Sequence, residues 1–131
     1  HITQEREYMR KAELVINYTM TSDRCLQNWI LRDEGTNMDG SIFKAVFVPY
    51  AVNLALDDDT SDFVKKRIKT FLLDNAEALW KNMDRREYPA MYCNYYWGSM
   101  FPSNEIASMG AQASGSSLME GVARMMMTPE K

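Results

Sequence analysis

The stretch DGSIFKAVFVPY, residues 39–50, carries its apolar residues at the spacing of a buried helix. Yet it opens on Asp39-Gly40, sets Lys44 between Phe43 and Ala45, and is interrupted by Pro49. Continued to residue 56, Ile42, Phe43, Val46, Phe47, Tyr50, Val52, Leu54 and Ala55 fall on more than one face, which predicts a helix over 41–56 enclosed on nearly all sides. Proline inside a helix removes a backbone hydrogen bond at a cost of about 3 kcal/mol, so a kink, or a start nearer Pro49, is expected. Lys44 has two readings: it snorkels or pairs with Asp39 at the helix start, or Asp39, Gly40 and Lys44 form the edge of a cleft.

On either side lie further helices. Residues 4–20 space Tyr8, Met9, Ala12, Val15, Ile16 and Tyr18 or Thr19 at three- and four-residue intervals among Glu and Arg, an amphipathic pattern. The helix stops near Thr21-Ser22-Asp23, and CLQNWILRDEGTNMDG, residues 25–40, then reads as a loop with a short apolar turn around Trp29 and Ile30 docked on the core. After LDDDTSD, capping oxygens at Asp59, Thr60 and Ser61, with Asp62 at the positive end of the backbone dipole, start a helix running to about Met83. Its expected apolar stripe is Phe63, Ile68, Phe71, Leu72, Ala76, Leu79 and Trp80.

The segment DRREYPAMYCNYYWGSMFPSN, residues 84–104, is aromatic-rich and broken by two prolines and a glycine, so it reads as a long irregular connection of the kind that carries function. A last helix is expected over 105–127, capped by Ser103 or Asn104. Its first half, ASMGAQASGSS, is built of small residues and demands close packing, against a helix cost of about 1 kcal/mol for each of Gly110 and Gly115. No stretch alternates convincingly enough for a strand, which makes the chain all-α, with two helix-loop-helix units in tandem.

Composition narrows the function classes. The 131 residues suffice for one domain, and 46% hydrophobic with 25% charged residues is ordinary for a globular protein. Eighteen acidic and fifteen basic residues give a net charge of −3 with no basic tract, so nucleic acid is not expected as a partner. Apolar runs such as residues 71–73 are far too short to span a bilayer, and no charged-then-apolar leader precedes the first helix. The chain opens on His1 rather than methionine, which fits a processed, tagged or truncated terminus.

Cys25 and Cys93 fit either one disulfide or two unpaired, buried thiols. The only histidine is His1, which removes the common zinc sites and Cys-His or Ser-His nucleophilic chemistry. No metal or other cofactor is expected, and any catalysis must rest on carboxylates. Asp57-Asp58-Asp59 is the conspicuous acidic run, but its place just before a helix start favours capping and solvation over paired-carboxylate chemistry. Tyr92, Tyr95, Tyr96, Trp97 and Phe101 form either a hydrophobic plug or a surface on which sugar rings stack. The eleven methionines read as adaptable core filling, and Asn17-Tyr18-Thr19, a glycosylation triplet by pattern, falls inside a helix and is set aside.

In order, DGSIFKAVFVPY, FLLDNAEALWKNMD, YYWGSMF and ASMGAQASGSSLMEGVARM resemble the C-terminal portion of family 76 glycoside hydrolases, the endo-α-1,6-mannanase-like proteins. The family pattern DGGxFKGIFxRY is matched at Asp39, Gly40, Phe43, Lys44, Phe47 and Tyr50. Asn75, Ala76 and Trp80 match its next helix, Trp97-Gly98 its Trp-Gly loop, and Gln112 its small-residue helix. Ser41, Ala45 and Pro49 stand where the family has Gly, Gly and Arg, and Gln112 is followed by Ala113 rather than serine.

The resemblance implies part of an (α/α)6 barrel, contributed by tandem helical hairpins, from a much longer enzyme. Its catalytic pair of adjacent aspartates would lie in an N-terminal half that these residues do not include, and Asp57-Asp58, after the Phe43-Lys44 helix, is not that pair. It also implies an oligosaccharide or mannan partner and a secreted, periplasmic or cell-surface location. By the same resemblance, substrate contacts fall to Asp39, Lys44, Tyr96 and Trp97, with no catalytic residue in the chain and none of the barrel's N-terminal half to cover its apolar flanks, so that an isolated piece would self-associate. The rival readings are a self-contained helical carbohydrate-binding or protein-interaction module, and a diverged relative that has lost its catalytic half.

Overall fold

The computed structural model describes residues 2–102 and 107–129, the side chains of residues 2 and 3 excepted. Four helices carry the fold: α1 (Ile2–Thr21), α2 (Met38–Leu56), α3 (Asp62–Asn82) and α4 (Met109–Met127). Among the described residues the only ladder joins β1 (Leu26–Gln27) to β2 (Ile30–Leu31), antiparallel, with Leu26 opposite Leu31. The chain is all-α, as its periodicity implies.

α2 starts earlier than the apolar pattern suggests, because Asn37 caps it by accepting from Gly40 N at 2.6 Å. It then runs unbroken through Pro49 to Leu56, where a start near the proline was the alternative expectation. Proline has no N–H to give the carbonyl four residues back, that of Ala45. Here the Ser117 hydroxyl of α4 donates to that carbonyl at 3.3 Å, so the neighbouring helix supplies what the proline withholds.

α2 and α4 form the most extensive helix pair. Gly110, Ser114, Ser117 and Gly121, at spacings of four, three and four, place small residues along one face of α4. A Cβ on Gly110 would meet Ser41 Oγ at 2.0 Å and one on Gly121 would meet Val52 Cγ2 at 2.8 Å, while Ser114 Oγ donates to Ser41 O at 2.7 Å. The close packing expected of the small-residue segment is therefore against α2. The helix begins at Met109 with Ser108 as its cap, accepting from Ala111 N. The expected caps, Ser103 and Asn104, lie outside the described residues.

α3 follows its sequence signals, with Ser61 as the cap and Asn82 as its last residue. It packs on both α2 and α4, and α1 packs on α3 and β1, so α1 and α3 form one layer and α2 and α4 the other. The core between them is built on Val48, Val52, Ile68, Leu72, Leu79 and Leu118. Two expected stripes are met in part. In α3, Ile68, Leu72, Ala76 and Leu79 are buried as expected, but Phe63 and Trp80 are exposed while Val64 and Asn75 are buried; in α1, Tyr8, Val15 and Tyr18 are exposed and, among the described side chains, only Ile16 and Met20 enter the core. Trp29 does not dock on the core either: it sits exposed at the tip of the β1–β2 hairpin, and Leu26 and Leu31 point inward instead. Cys25 and Cys93 are unpaired thiols, the second of them buried.

Candidate sugar-facing end of the bundle

α3 runs antiparallel to the parallel pair α2 and α4, which brings the start of α2, the end of α3 and the start of α4 to one end, where residues 83–102 cover them. The run Asp57-Asp58-Asp59 is at the other end, a helix length of ~28 Å away. There Asp57 ends α2 and accepts from Asp59 N at 2.8 Å, a turn-forming role.

Side chains from the helices pin the connection at several points. Asp84 and Tyr92 exchange backbone hydrogen bonds of 2.8 and 3.0 Å, closing a loop around 85–91. Hydrogen bonds from the Arg86 guanidinium and backbone hold the Asp84 carboxyl down at about 2, so it serves as an ionised clamp. Gln112 grips Cys93 from both sides, its Oε1 accepting from Cys93 N at 3.0 Å and its Nε2 donating to Cys93 O at 2.8 Å. Asn82 Nδ2 donates to Trp97 O at 3.1 Å. Burial pushes the Cys93 thiol up to about 11, and its Sγ lies 3.3 Å from Ala111 O, which makes it an inert packing thiol.

Lys44 joins α2 to this connection. Its Nζ donates to Tyr95 O at 2.6 Å and stands 4.0 Å from the centre of the Trp97 ring. Only 4% of Lys44 and 1% of Trp97 are exposed. Burial pushes the amine down to about 8, partly offset by the carboxylates of Asp33 and Glu34. Neither snorkelling nor a pair with Asp39 describes it: among the described residues no ion pair joins the two, and Asp39 is exposed in the first turn of α2. Gly40 is required for another reason. The Glu34 carbonyl would come within 2.4 Å of a Cβ there, so the glycine lets the chain turn tightly into the helix.

The structure therefore brings Lys44 and Trp97 into contact, carries Tyr96 beside them in the chain, and leaves Asp39 on the rim. Tyr96 sends its hydroxyl to Gln27 O and ties the hairpin to the connection. Trp97 Nε1 is buried without a hydrogen-bond partner among the described residues. Of the aromatic group, Trp97 and Phe101 are buried as a plug, while Tyr92, Tyr95 and Tyr96 remain half-buried. Sequence reasoning counted Tyr95 for its ring, whereas its contact with Lys44 is a backbone carbonyl, and it passed over Asn82, whose side chain donates to Trp97 O. It noted Gln112 and Asn75 only as matches to a pattern; Asn75 is wholly buried and accepts from Leu31 N at 3.0 Å. Among the described residues no cluster of three or more His, Cys, Asp or Glu side chains is placed to hold a metal, and no helix is long and apolar enough to cross a membrane.

No family profile matches the sequence, and no curated protein matches it. Solved structures do. The GH76A α-1,6-mannanase of Salegentibacter sp. HEL1_6 aligns at 29% identity with a TM-score of 0.83, over 95% of this chain and 35% of that one. An inactive variant of that enzyme with two consecutive aspartates replaced by asparagine, in complex with α-1,6-mannotriose, aligns at 29% identity and a TM-score of 0.82, again over 95% and 35%. A second inactive variant, with the same two aspartates replaced by alanine and in complex with α-1,6-mannotetrose, aligns at 28% and 0.80, over 91% and 33%. The chain spans about a third of the length of these relatives. Its four helices are part of an (α/α)6 barrel, and over nearly all of its length it has the fold of a family 76 glycoside hydrolase.

Proposed function

We propose that these residues form the C-terminal arc of an α-1,6-mannanase-like glycoside hydrolase acting on mannan, with the catalytic aspartate pair contributed by the N-terminal half of the barrel. The observation that carries this reading is the alignment at a TM-score of 0.80–0.83 over 91–95% of the chain with an enzyme whose variants at two consecutive aspartates are inactive and bind α-1,6-mannosides. Exposed apolar residues on α2, Phe43, Val46 and Tyr50 at helical spacing, support it further, since an arc of a ring has flanks for its neighbours to cover. In the closed ring the two aspartates would act as nucleophile and acid/base with retention of configuration. A mannan substrate belongs to cell walls and glycoproteins, so the enzyme would work outside the cytoplasm, secreted, periplasmic or on the cell surface.

The arc would supply substrate contacts from the end that holds Lys44. Asp39 and Tyr96, accessible on the rim, would meet sugar hydroxyls. Lys44 and Trp97 would form the floor beneath them, the lysine fixing the ring and the backbone of Tyr95 where the sugar chain passes. The test is hydrolysis of α-1,6-mannan by the barrel with both halves present. Activity is expected there, absent from the 131-residue chain alone, and with KM rather than kcat raised several-fold by Asp39→Asn and Tyr96→Phe. Hydrolysis by the isolated chain, or a complete barrel without action on mannan, would overturn the reading.

A further inference from the structure

A second surface is unexplained by a site at the Lys44 end. The β1–β2 hairpin turns through Asn28 and Trp29 with φ of 52° and 69°, the two positive values of a type I′ turn, whose second position favours glycine. A tryptophan held there costs on the order of 1–3 kcal/mol of backbone strain. The core gains nothing in return, because Trp29 is 78% exposed. The hairpin beneath it is nevertheless fixed on both strands, Gln27 O accepting from the Tyr96 hydroxyl and Leu31 N donating to Asn75.

Trp29 closes one end of a groove of about 530 Å³ that runs along the side of α3 turned away from α2 and α4. Phe63 closes the other end, 67% exposed, with the Arg67 guanidinium 5.6 Å from its ring centre and steadied by Asn17 at 3.3 Å. Between them stand Lys66, Thr70 and Asp74. From Phe63 to Asp74 the helix rises ~16 Å, the length of several linked rings rather than one. Two exposed aromatic faces with a donor-and-acceptor rim between them match an oligosaccharide, whose pyranose rings have apolar faces and hydroxylated edges.

We propose that this groove is an auxiliary binding site for pyranose oligosaccharides, with Trp29 and Phe63 as stacking platforms and Lys66, Arg67 and Asp74 as hydroxyl partners. It lies on the layer formed by α1 and α3, reaching from the hairpin that Tyr96 ties to the Lys44 end back to the start of α3, and would hold a polymer chain near the enzyme without taking part in its cleavage. The choice of an α-1,6-mannoside as its ligand rests on the function proposed above; the site itself does not.

The test is titration of the chain with α-1,6-mannotriose and, separately, cellotriose, following tryptophan fluorescence and the indole N–H signals. Saturable perturbation of the Trp29 indole is expected in the unaltered chain, and titration calorimetry, which needs no indole reporter, should find affinity reduced about tenfold or more by Trp29→Gly and by Phe63→Ala. Glycine suits the positive φ, so Trp29→Gly should keep or raise the thermal midpoint while weakening the calorimetric affinity, a separation that a merely structural tryptophan would not produce. Response to cellotriose alone supports the site while counting against mannan as its ligand. Response to neither sugar, undiminished binding in both variants, or a lowered midpoint for Trp29→Gly overturns the proposal. Hydrolysis by the complete barrel is read in a separate assay, so either reading can fail without the other.

Discussion

At the scale of single residues, Lys44 carries the most consequential placement. Its ammonium is buried over an indole with one carbonyl acceptor, and desolvation lowers its pKa from 10.5 to about 8. Between these values the unfolded chain binds a proton that the folded chain has lost, so stability rises with pH across that window; below about 8 both states are protonated and the contribution is flat. The expected result is a positive slope of unfolding free energy between pH 8 and 9, below the range in which the raised Cys93 thiol adds an opposing slope, that disappears in Lys44→Met, measured by urea denaturation of both proteins over that range. A slope shared equally by the variant would mean that other lysines cause it and that Lys44 is better solvated than its surroundings imply. Sequence alone singled out this lysine without identifying its partners. Trp97 is 53 positions further along, and only the folding of the connection back onto α2 brings the ring to the amine.

At the scale of elements, the existence of the four helices was legible and their orientation was legible only in part. Helical periodicity, the Ser61 cap and the small-residue segment of α4 all correspond to what the chain does. The buried faces of α1 and α3 were read only in part, Ile16, Ile68, Leu72, Ala76 and Leu79 entering the core as expected, because adjacent positions in each offer comparable apolar bulk: Phe63 beside Val64, Val15 beside Ile16. The smaller member of the first pair and the second of the other went inside, a choice made by the packing partner rather than by spacing. The hairpin escaped notice because Asn28-Trp29 lacks the glycine that usually signals its turn. Pro49 was recognised as a difficulty, but its remedy lies on another helix. A double-mutant cycle tests that remedy. Ser117→Ala should cost about 1 kcal/mol in the natural chain, where the Ala45 carbonyl has no N–H from residue 49, and close to nothing after Pro49→Ala restores one. Coupling of about 1 kcal/mol between the two sites is expected from urea unfolding of the four proteins, and a value below about 0.3 kcal/mol would show that the hydroxyl is incidental.

At the scale of the whole molecule, the apolar surface is distributed unlike that of a self-sufficient bundle. The core closes between the layers, yet α2 presents Phe43, Val46 and Tyr50 outward, and a groove of about 540 Å³ lined by Val15, Ile16, Phe47, Tyr50 and Leu54 lies open between α1 and α2. In a ring three times as long these surfaces would meet adjoining helices; in the 131-residue chain by itself they can be hidden only against another copy. Sedimentation velocity should therefore find concentration-dependent dimers or larger species in the micromolar range. Phe43→Ser with Tyr50→Ser should return the chain to monomer with its helical circular dichroism unchanged, because neither side chain contributes to the buried core. The same two substitutions in the complete barrel should behave oppositely, destabilising it, since there they would fall in a helix interface. A chain that stays monomeric throughout, together with a barrel indifferent to the substitutions, would mean that this face is ordinary surface and that the ring closes elsewhere.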